Sequence, residues 1–272
     1  MRRALILPAL IVLVLVAEAL PASSAGPARS VSFSCKVAGT AQLDPILVPD
    51  GGPSMHEHVF VGNTGVPAGV HDYDRAIAQG TTCKFPGDTA AYWFPSMRQG
   101  SSLVPVKVTI YYDRMTSQQV TAFPPDFGMI WGFTRGLFSS RPRSFYGWNC
   151  ANTEPLQPDF SAVDCRGAPS NQVVTFRGFS PYCWDGVDPG VRNFGEHVSY
   201  PPGYPTNELC PDGAIVLPRL RVNANFQTQF CPACVLSSDE QYGTTAGASA
   251  HTDFWSTWQQ PALEGLVAQL NA

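Results

Sequence analysis

Charge is scarce in this sequence. Only 14% of its 272 residues are charged and the formal net charge is −4. No Lys/Arg cluster of the kind that tracks a phosphate backbone is present, which excludes a nucleic-acid binder. Long hydrophobic runs are equally scarce. The one candidate, Leu5 to Val16, is broken by Pro8 and ended by Glu18. It is shorter than the roughly 20 residues a spanning helix needs, so no stable membrane anchor is expected. Internal repeats, low-complexity tracts and linkers are missing between Cys35 and Ala272, and only the C-terminus carries a clear helical period. Histidine is rare too, at five residues, and where those five stand is informative.

The short apolar run has a use at the N-terminus. Arg2 and Arg3 precede it, and Ser23-Ser24-Ala25 follows with small residues suited to cleavage. Residues 1–25 therefore read as a secretory signal peptide and residues 26–272 as one secreted, extracellular domain. Cleavage would remove two arginines and one glutamate, leaving 15 basic against 20 acidic residues, a net charge of −5. A monomer is expected.

Proline (25) and glycine (24) are plentiful, yet 44% of residues are hydrophobic, so the chain is punctuated rather than disordered. Short apolar stretches between such breaks point to a mainly β fold, a β-sandwich or jelly-roll-like domain with long loops. Strands are expected at Val31 to Val37, Ala90 to Phe94, Val104 to Tyr112, Asp126 to Phe133 and Val173 to Phe176. Ala214 to Leu217 and Leu220 to Phe226 read as a strand pair, and Leu43 to Pro49 as an extended edge. Residues 139–171 read as irregular. Pro261 to Leu270 reads as an amphipathic helix burying Leu263, Leu266, Val267 and Leu270. All eight cysteines lie beyond the signal, as a disulfide framework requires. Spacing leaves the pairing open. Cys150–Cys165 and Cys183–Cys210 would each close a Pro/Gly-rich loop, and Cys231-Pro-Ala-Cys234 reads as a local bridge rather than a redox motif.

The stretch Ser54-Met55-His56-Glu57-His58-Val59-Phe60 spends two of the five histidines. If extended, it places His56 and His58 on one face about 7 Å apart and turns Glu57 away. His251-x-Asp253 repeats that spacing, and Asp185 sits in a tight Trp-Asp-Gly turn. The candidate catalytic set is His56, His58, Asp185, His197, His251 and Asp253. Neutral imidazoles with a carboxylate suit a divalent transition metal, with His56, His58 and His197 as the expected ligands. A cupin would place a glutamate a few residues after the pair, where Gly62 and Asn63 stand instead. Without a metal, a histidine base with a histidine or tyrosine acid would serve a polysaccharide hydrolase or lyase. Trp184, Tyr112, Tyr200 and Trp93 are the candidate substrate-binding residues, with sugar stacking the role of their rings, although Trp93 and Trp131 suit the core better. Isolated histidines are more often buried hydrogen-bonding residues than ligands; four in such settings with two carboxylates favour a site.

Read together, the ordered motifs resemble one family. They are Leu43-Asp44-Pro45-Ile46, Ser54-x-His56-x-His58, Tyr92-Trp93-Phe94-Pro95, Tyr111-Tyr112 and Phe123-Pro124 with Phe127-Gly128-Met129. They continue with Cys183-Trp184-Asp185-Gly186, His197-Val198-Ser199-Tyr200-Pro201, Leu217-Pro218-Arg219-Leu220 and His251-Thr252-Asp253-Phe254 before Trp258. The chain is similar to a family of secreted fungal and bacterial proteins described only as a domain of unknown function, some of which carry WSC carbohydrate-binding modules. The resemblance implies secretion and cell-wall or polysaccharide surroundings, and it supplies no reaction. Expectation ranks a carbohydrate-active hydrolase or lyase first. A non-catalytic glycan-binding protein and an extracellular metal-binding protein follow.

Overall fold

A computed structural model describes residues 30–133, 145–151, 153, 155–169, 172–187, 190, 196–204 and 206–272. The expected signal peptide and residues 139–144 of the expected irregular stretch lie outside the described residues.

Among the described residues, sixteen short strands and three α-helices follow in order. They are β1 (Ser30–Cys35), β2 (Val37–Ala41), β3 (His58–Gly62), α1 (Tyr73–Ala76), β4 (Ala91–Pro95), β5 (Met97–Gln99), β6 (Ser102–Leu103), β7 (Val106–Asp113) and β8 (Gly128–Gly132). After them come β9 (Tyr146–Cys150), β10 (Val174–Phe179), β11 (Cys183–Trp184), β12 (Val198–Ser199), β13 (Ile215–Val216), β14 (Arg219–Phe226), β15 (Cys234–Leu236), α2 (Ser237–Tyr242), β16 (His251–Trp255) and α3 (Gln260–Asn271).

Two five-stranded antiparallel sheets dominate, ordered β1-β7-β14-β10-β9 and β2-β3-β4-β16-β8. In the first, alternation is clean: Val108, Ile110 and Tyr112 of β7 and Leu220, Val222 and Ala224 of β14 turn inward. They meet Val59, Val61, Tyr92, Phe94, Met129, Trp131 and Phe254 of the second sheet in one core. The two sheets thus form a β-sandwich.

The second sheet is buried on both faces, and β3, β4, β8 and β16 have no exposed residue. Its outer face carries Phe60, Ala91, Trp93, Ile130 and Trp255, packed against Ile46, Val66, Val70 and Ala76. The β2–β3 and β3–β4 connections fold over this face as a third layer. His58, His251 and Asp253 share that outer face, because each stands two or more even steps from Phe60 or Trp255 along its strand. The polar residues were therefore placed under a lid of apolar chain, not on a solvated surface.

Several local expectations change. Leu43 to Pro49 is not an extended edge. Asp44 Oδ1 accepts from Ile46 N (3.1 Å) and Leu47 N (3.0 Å), and this side-chain competition for the backbone makes a turn. The 214–226 region is not a hairpin: β13 pairs with β11, while β14 pairs with β7 and β10. Leu217-Pro218 separates them, and Pro218 has no N–H to continue a ladder. The 139–171 stretch contains a real strand, β9, whose Trp148 enters the core. The C-terminal helix buries the four residues its period selects, Leu263, Leu266, Val267 and Leu270.

Four disulfides staple the fold: Cys35–Cys83, Cys150–Cys165, Cys183–Cys210 and Cys231–Cys234. No cysteine is free. Among the described residues no helix is long and apolar enough to cross a membrane.

Candidate metal centre

His58 opens β3 and His251 opens β16, on either side of β4. Strand spacing alone would hold their backbones about 9–10 Å apart, yet their rings lean together to a centroid separation of 5.8 Å. His56 arrives differently. It stands in a bend before β3, fixed by Ser54 Oγ donating to His56 O and Ser237 Oγ donating to Glu57 O. The bend, not strand pleat, brings the His56 ring to 4.3 Å from His58 and 5.2 Å from His251. Glu57 turns outward to Arg98, at 2.9 and 3.0 Å.

Each imidazole is oriented by an oxygen on its Nδ1. His58 Nδ1 donates to Leu43 O (2.9 Å), His251 Nδ1 to Ser249 O (2.8 Å) and His56 Nδ1 to Gln241 Oε1 (2.6 Å). Backbone carbonyls never donate, so the Nδ1–H tautomers of His58 and His251 are fixed. Gln241 alone has an amide nitrogen that could face His56 instead, and that nitrogen is directed to Met55 Sδ at 3.0 Å. The three Nε2 lone pairs are left for one another. The three ligand atoms lie within 4.8 Å of each other, and His56 Nε2 and His251 Nε2 stand 3.3 Å apart. Two acceptors at that distance repel. Two nitrogens bound at about 2.0–2.1 Å to one tetrahedral ion, however, are separated by about 3.3–3.4 Å.

Asp253 completes the cluster. It is fully buried, and neither carboxylate oxygen has a hydrogen-bond partner among the described residues. Its Oδ2 lies 3.9 Å from His251 Nε2. That is ion-pair distance, but burial first and then the neighbouring His56 drive His251 down to about 3, which disfavours the charged ring an ion pair needs. Burial likewise lowers His56, with Gln241 acting in the opposite sense. It drives His58 well below the usual range, with His56 and His251 adding to the effect. Asp253 is pushed far up by burial and then by Asp44. Asp44, also raised by burial, reaches about 6. His58 Nε2 is a further orphan. Lone pairs and carboxylate oxygens without donors, converging in a dry site, match the donor chemistry of a divalent transition metal. The Nδ1 contacts have the form of the outer-shell bonds that hold metal-binding histidines.

The ligand triplet expected from the sequence changes in one member: His251 takes the place given to His197. His197 Nδ1 instead meets Asp185 Oδ2 at 2.8 Å, where the small β12-β11-β13 sheet closes a loop. Asp185 is about half exposed and its Oδ1 accepts from Val187 N (2.8 Å). This pair belongs to a loop base and is not part of the three-histidine group. The expected stacking residues lie elsewhere as well. Trp93 packs on Phe60 and Tyr112 bonds Tyr92 and Trp258, both with no exposed surface. Trp184 is buried, donating to Val187 O. Tyr200 donates to Phe179 O at 2.6 Å and stacks on Phe145. None of the four is free to present its ring face as a sugar shelf in this structure.

Asp44, Gln241, Ser249 and Asp239 were not among the sequence candidates. Asp44 had a signal, its place in the Leu-Asp-Pro-Ile motif. Asp239 had a weaker one, the Ser-Ser-Asp-Glu run that starts a helix. Gln241 and the backbone carbonyl of Ser249 had none.

No curated protein and no solved structure matches the chain. A family model does, over residues 44–258, a span that starts at Asp44 and contains all three histidines of the centre together with Asp253. The chain belongs to the family described as domain of unknown function DUF1996.

Proposed function

We propose that this chain is a secreted metalloprotein whose His56, His58 and His251 hold one divalent transition-metal ion through Nε2, with Asp253 as the adjoining carboxylate, and that the ion serves a hydrolase or lyase acting on polysaccharide. One observation carries the metal assignment. Three Nδ1 atoms are committed to oxygen acceptors, which leaves Nε2 of each ring for a ligand, and the three histidines offer nitrogens within 4.8 Å of one another. When bound, such an ion polarises a substrate oxygen or makes a bound water acidic. The chain's own part is to keep the rings neutral, fix their tautomers and exclude bulk water. Three protein nitrogens on a four-coordinate ion leave one position unfilled by histidine, the pattern of catalytic rather than structural zinc. Secretion is supported by the signal-like N-terminus and by four disulfides. The polysaccharide assignment rests on the resemblance to proteins that carry WSC modules.

Elemental mass spectrometry of the signal-free protein, beside a His58→Ala variant, tests the centre. About one metal ion per chain is expected in the parent and none in the variant. Metal-free parent after reconstitution with zinc, copper, nickel and iron would end the proposal. Turnover is tested on a polysaccharide panel, scoring new reducing ends for hydrolysis and ultraviolet absorbance of a new double bond for elimination. A second reading, metal binding without turnover, is favoured by the burial of the centre: His58 is 0% exposed and His56 and His251 are 5% exposed. Stoichiometric metal with no product on any polysaccharide would select it.

A further inference from the structure

The sharpest unexplained group outside the cluster is Asp239, the third residue of α2. It is buried, and among the described residues it forms no ion pair with a basic side chain. Its carboxylate nevertheless gathers five donors. Oδ2 accepts from Leu236 N (2.7 Å) and Gly247 N (2.8 Å). Oδ1 accepts from Thr244 Oγ1 (3.0 Å), Ser249 Oγ (2.6 Å) and Ser249 N (3.4 Å). Capping a six-residue helix needs one or two of these bonds, not all five. The others reach forward across the connection to β16 and cinch residues 236–249 into one unit. Gly247, at φ +88°, makes the tight turn that the cinch requires.

That unit carries the orienting oxygens of two of the three histidines. Gln241 projects from α2 to His56 Nδ1, and Ser249 O faces His251 Nδ1. We infer that Asp239 is a positioning residue for the metal centre, setting through one carboxylate the two acceptors that hold His56 and His251 in their metal-binding tautomers. This rests on the metal reading above. Asp239 touches neither an Nε2 nor the ion's place, so it acts only through Gln241 and Ser249. Its buried negative charge also favours a cation nearby. A carboxylate accepts at both oxygens and cannot donate. An asparagine there would turn an amide N–H2 toward at least one N–H or O–H donor and loosen the cinch at nearly constant volume.

The test uses the mature, disulfide-intact protein, with zinc affinity from competition against a chromophoric chelator and the visible spectrum of the cobalt(II)-loaded form. Asp239→Asn should weaken zinc by about 10–100-fold and alter the cobalt spectrum, the range for losing an outer-shell partner. Ser249→Ala, which removes the Ser249 Oγ bonds to Asp239 and to Ser238 Oγ (both 2.6 Å) and keeps the backbone carbonyl, should weaken zinc by up to about tenfold. A merely structural Asp239 would lower the unfolding temperature of the metal-free protein and leave zinc affinity and cobalt spectrum at parental values; that result overturns the inference. Should Asp239→Asn fail to fold, Ser249→Ala and Gln241→Leu decide: weaker zinc in both supports it, and parental affinity in both overturns it. A parent that binds neither zinc nor cobalt overturns the metal reading and this inference together. A parent that binds while every variant matches it overturns this inference alone.

Discussion

Two polar clusters are buried on opposite faces of the same sheet, one residue apart along β4. Tyr92 faces the sandwich core. There Trp258 Nε1 donates to Tyr112 Oη (2.7 Å), the two tyrosine hydroxyls meet at 2.6 Å, and Tyr92 Oη donates to Asp88 (2.9 Å), which also accepts from Ala90 N. Donor and acceptor alternate from one end to the other. Burial raises Asp88, Tyr92 and Tyr112 well above their ordinary values, and the network needs nothing from outside. Trp93 faces the other way, toward the layer that holds the histidines, and Asp253 is its partner in register. In that layer His58 Nε2 and both oxygens of Asp253 have no partner among the described residues. The same sheet, at equal depth, completes one network and leaves the other open, with Trp93 Nε1 as an unpaired donor beside the unpaired acceptors. Depth alone does not explain the convergence of the three histidines, whereas the proposed cation would.

The largest expected effect breaks the contrast at its open end. His58→Ala should lower zinc affinity by more than about 100-fold, beyond what loss of an outer-shell partner costs. Correspondingly, zinc at about 100 times the parent's dissociation constant should stabilise the parent by about 2.7 kcal/mol and the variant by no more than about 0.4 kcal/mol, read by urea unfolding with and without zinc. The closed network is broken by Tyr112→Phe. It leaves Trp258 N–H without its acceptor and Tyr92 Oη without its neighbour, so a loss of about 2 kcal/mol is expected by urea unfolding, with metal content unchanged.

A subtler difference concerns pH. Asp44 has a folded value of about 6 against 3.8 unfolded. The folded state therefore holds that proton more tightly. The associated stability is fully present below 3.8 and disappears as pH rises through 6, so ionised Asp44 is a cost at neutral pH. Asp44→Asn, which keeps an acceptor for Ile46 N and Leu47 N, should stabilise the metal-free protein by about 1–3 kcal/mol at pH 7.5. The gain should vanish at pH 3.5. The buried histidines titrate alike in both proteins and cancel in the difference. An equal gain at both pH values would assign the effect to packing instead. The smallest effect is reserved for the pair that the sequence grouped with the centre. His197→Ala should cost about 0.5 kcal/mol by thermal unfolding, as for a partly exposed ion pair, and leave metal content at the parental level.

Much of this site was legible, for identifiable reasons. His251-x-Asp253 shares one face only if extended, which spacing left open, and it is extended because both neighbours of β16 enforce the pleat. The α3 helix was legible because its apolar residues recur at a single period, and three disulfides because two close Pro/Gly-rich loops and Cys231–Cys234 is local. The pairing of His56 with His58 was legible by spacing, but its cause was not. The rings meet through a bend fixed by Ser54 and Ser237, and Ser237 is distant in sequence. His197 was drawn into the set because it sits in a motif of the same kind. Only topology reveals that its neighbour across the loop is Asp185. The aromatic residues misled in the same way. Tyr112 and Trp93 look like sugar shelves in one dimension, and both are consumed by packing in three. The orienting oxygens were least legible, since any residue can supply a backbone carbonyl.

The apolar layer laid over the outer face of the second sheet, from Ile46 through Val66 and Val70 to Ala76, has a consequence for time rather than for energy. An ion held by His58 as proposed would sit behind that layer, so its escape would wait on the layer's opening and not only on bond strength. Exchange with an external chelator would then be slow even where the equilibrium favours the chelator. Loading would belong to the moment of folding, before the layer closes, and the occupancy found in the mature protein would keep a record of the ions present where it folded.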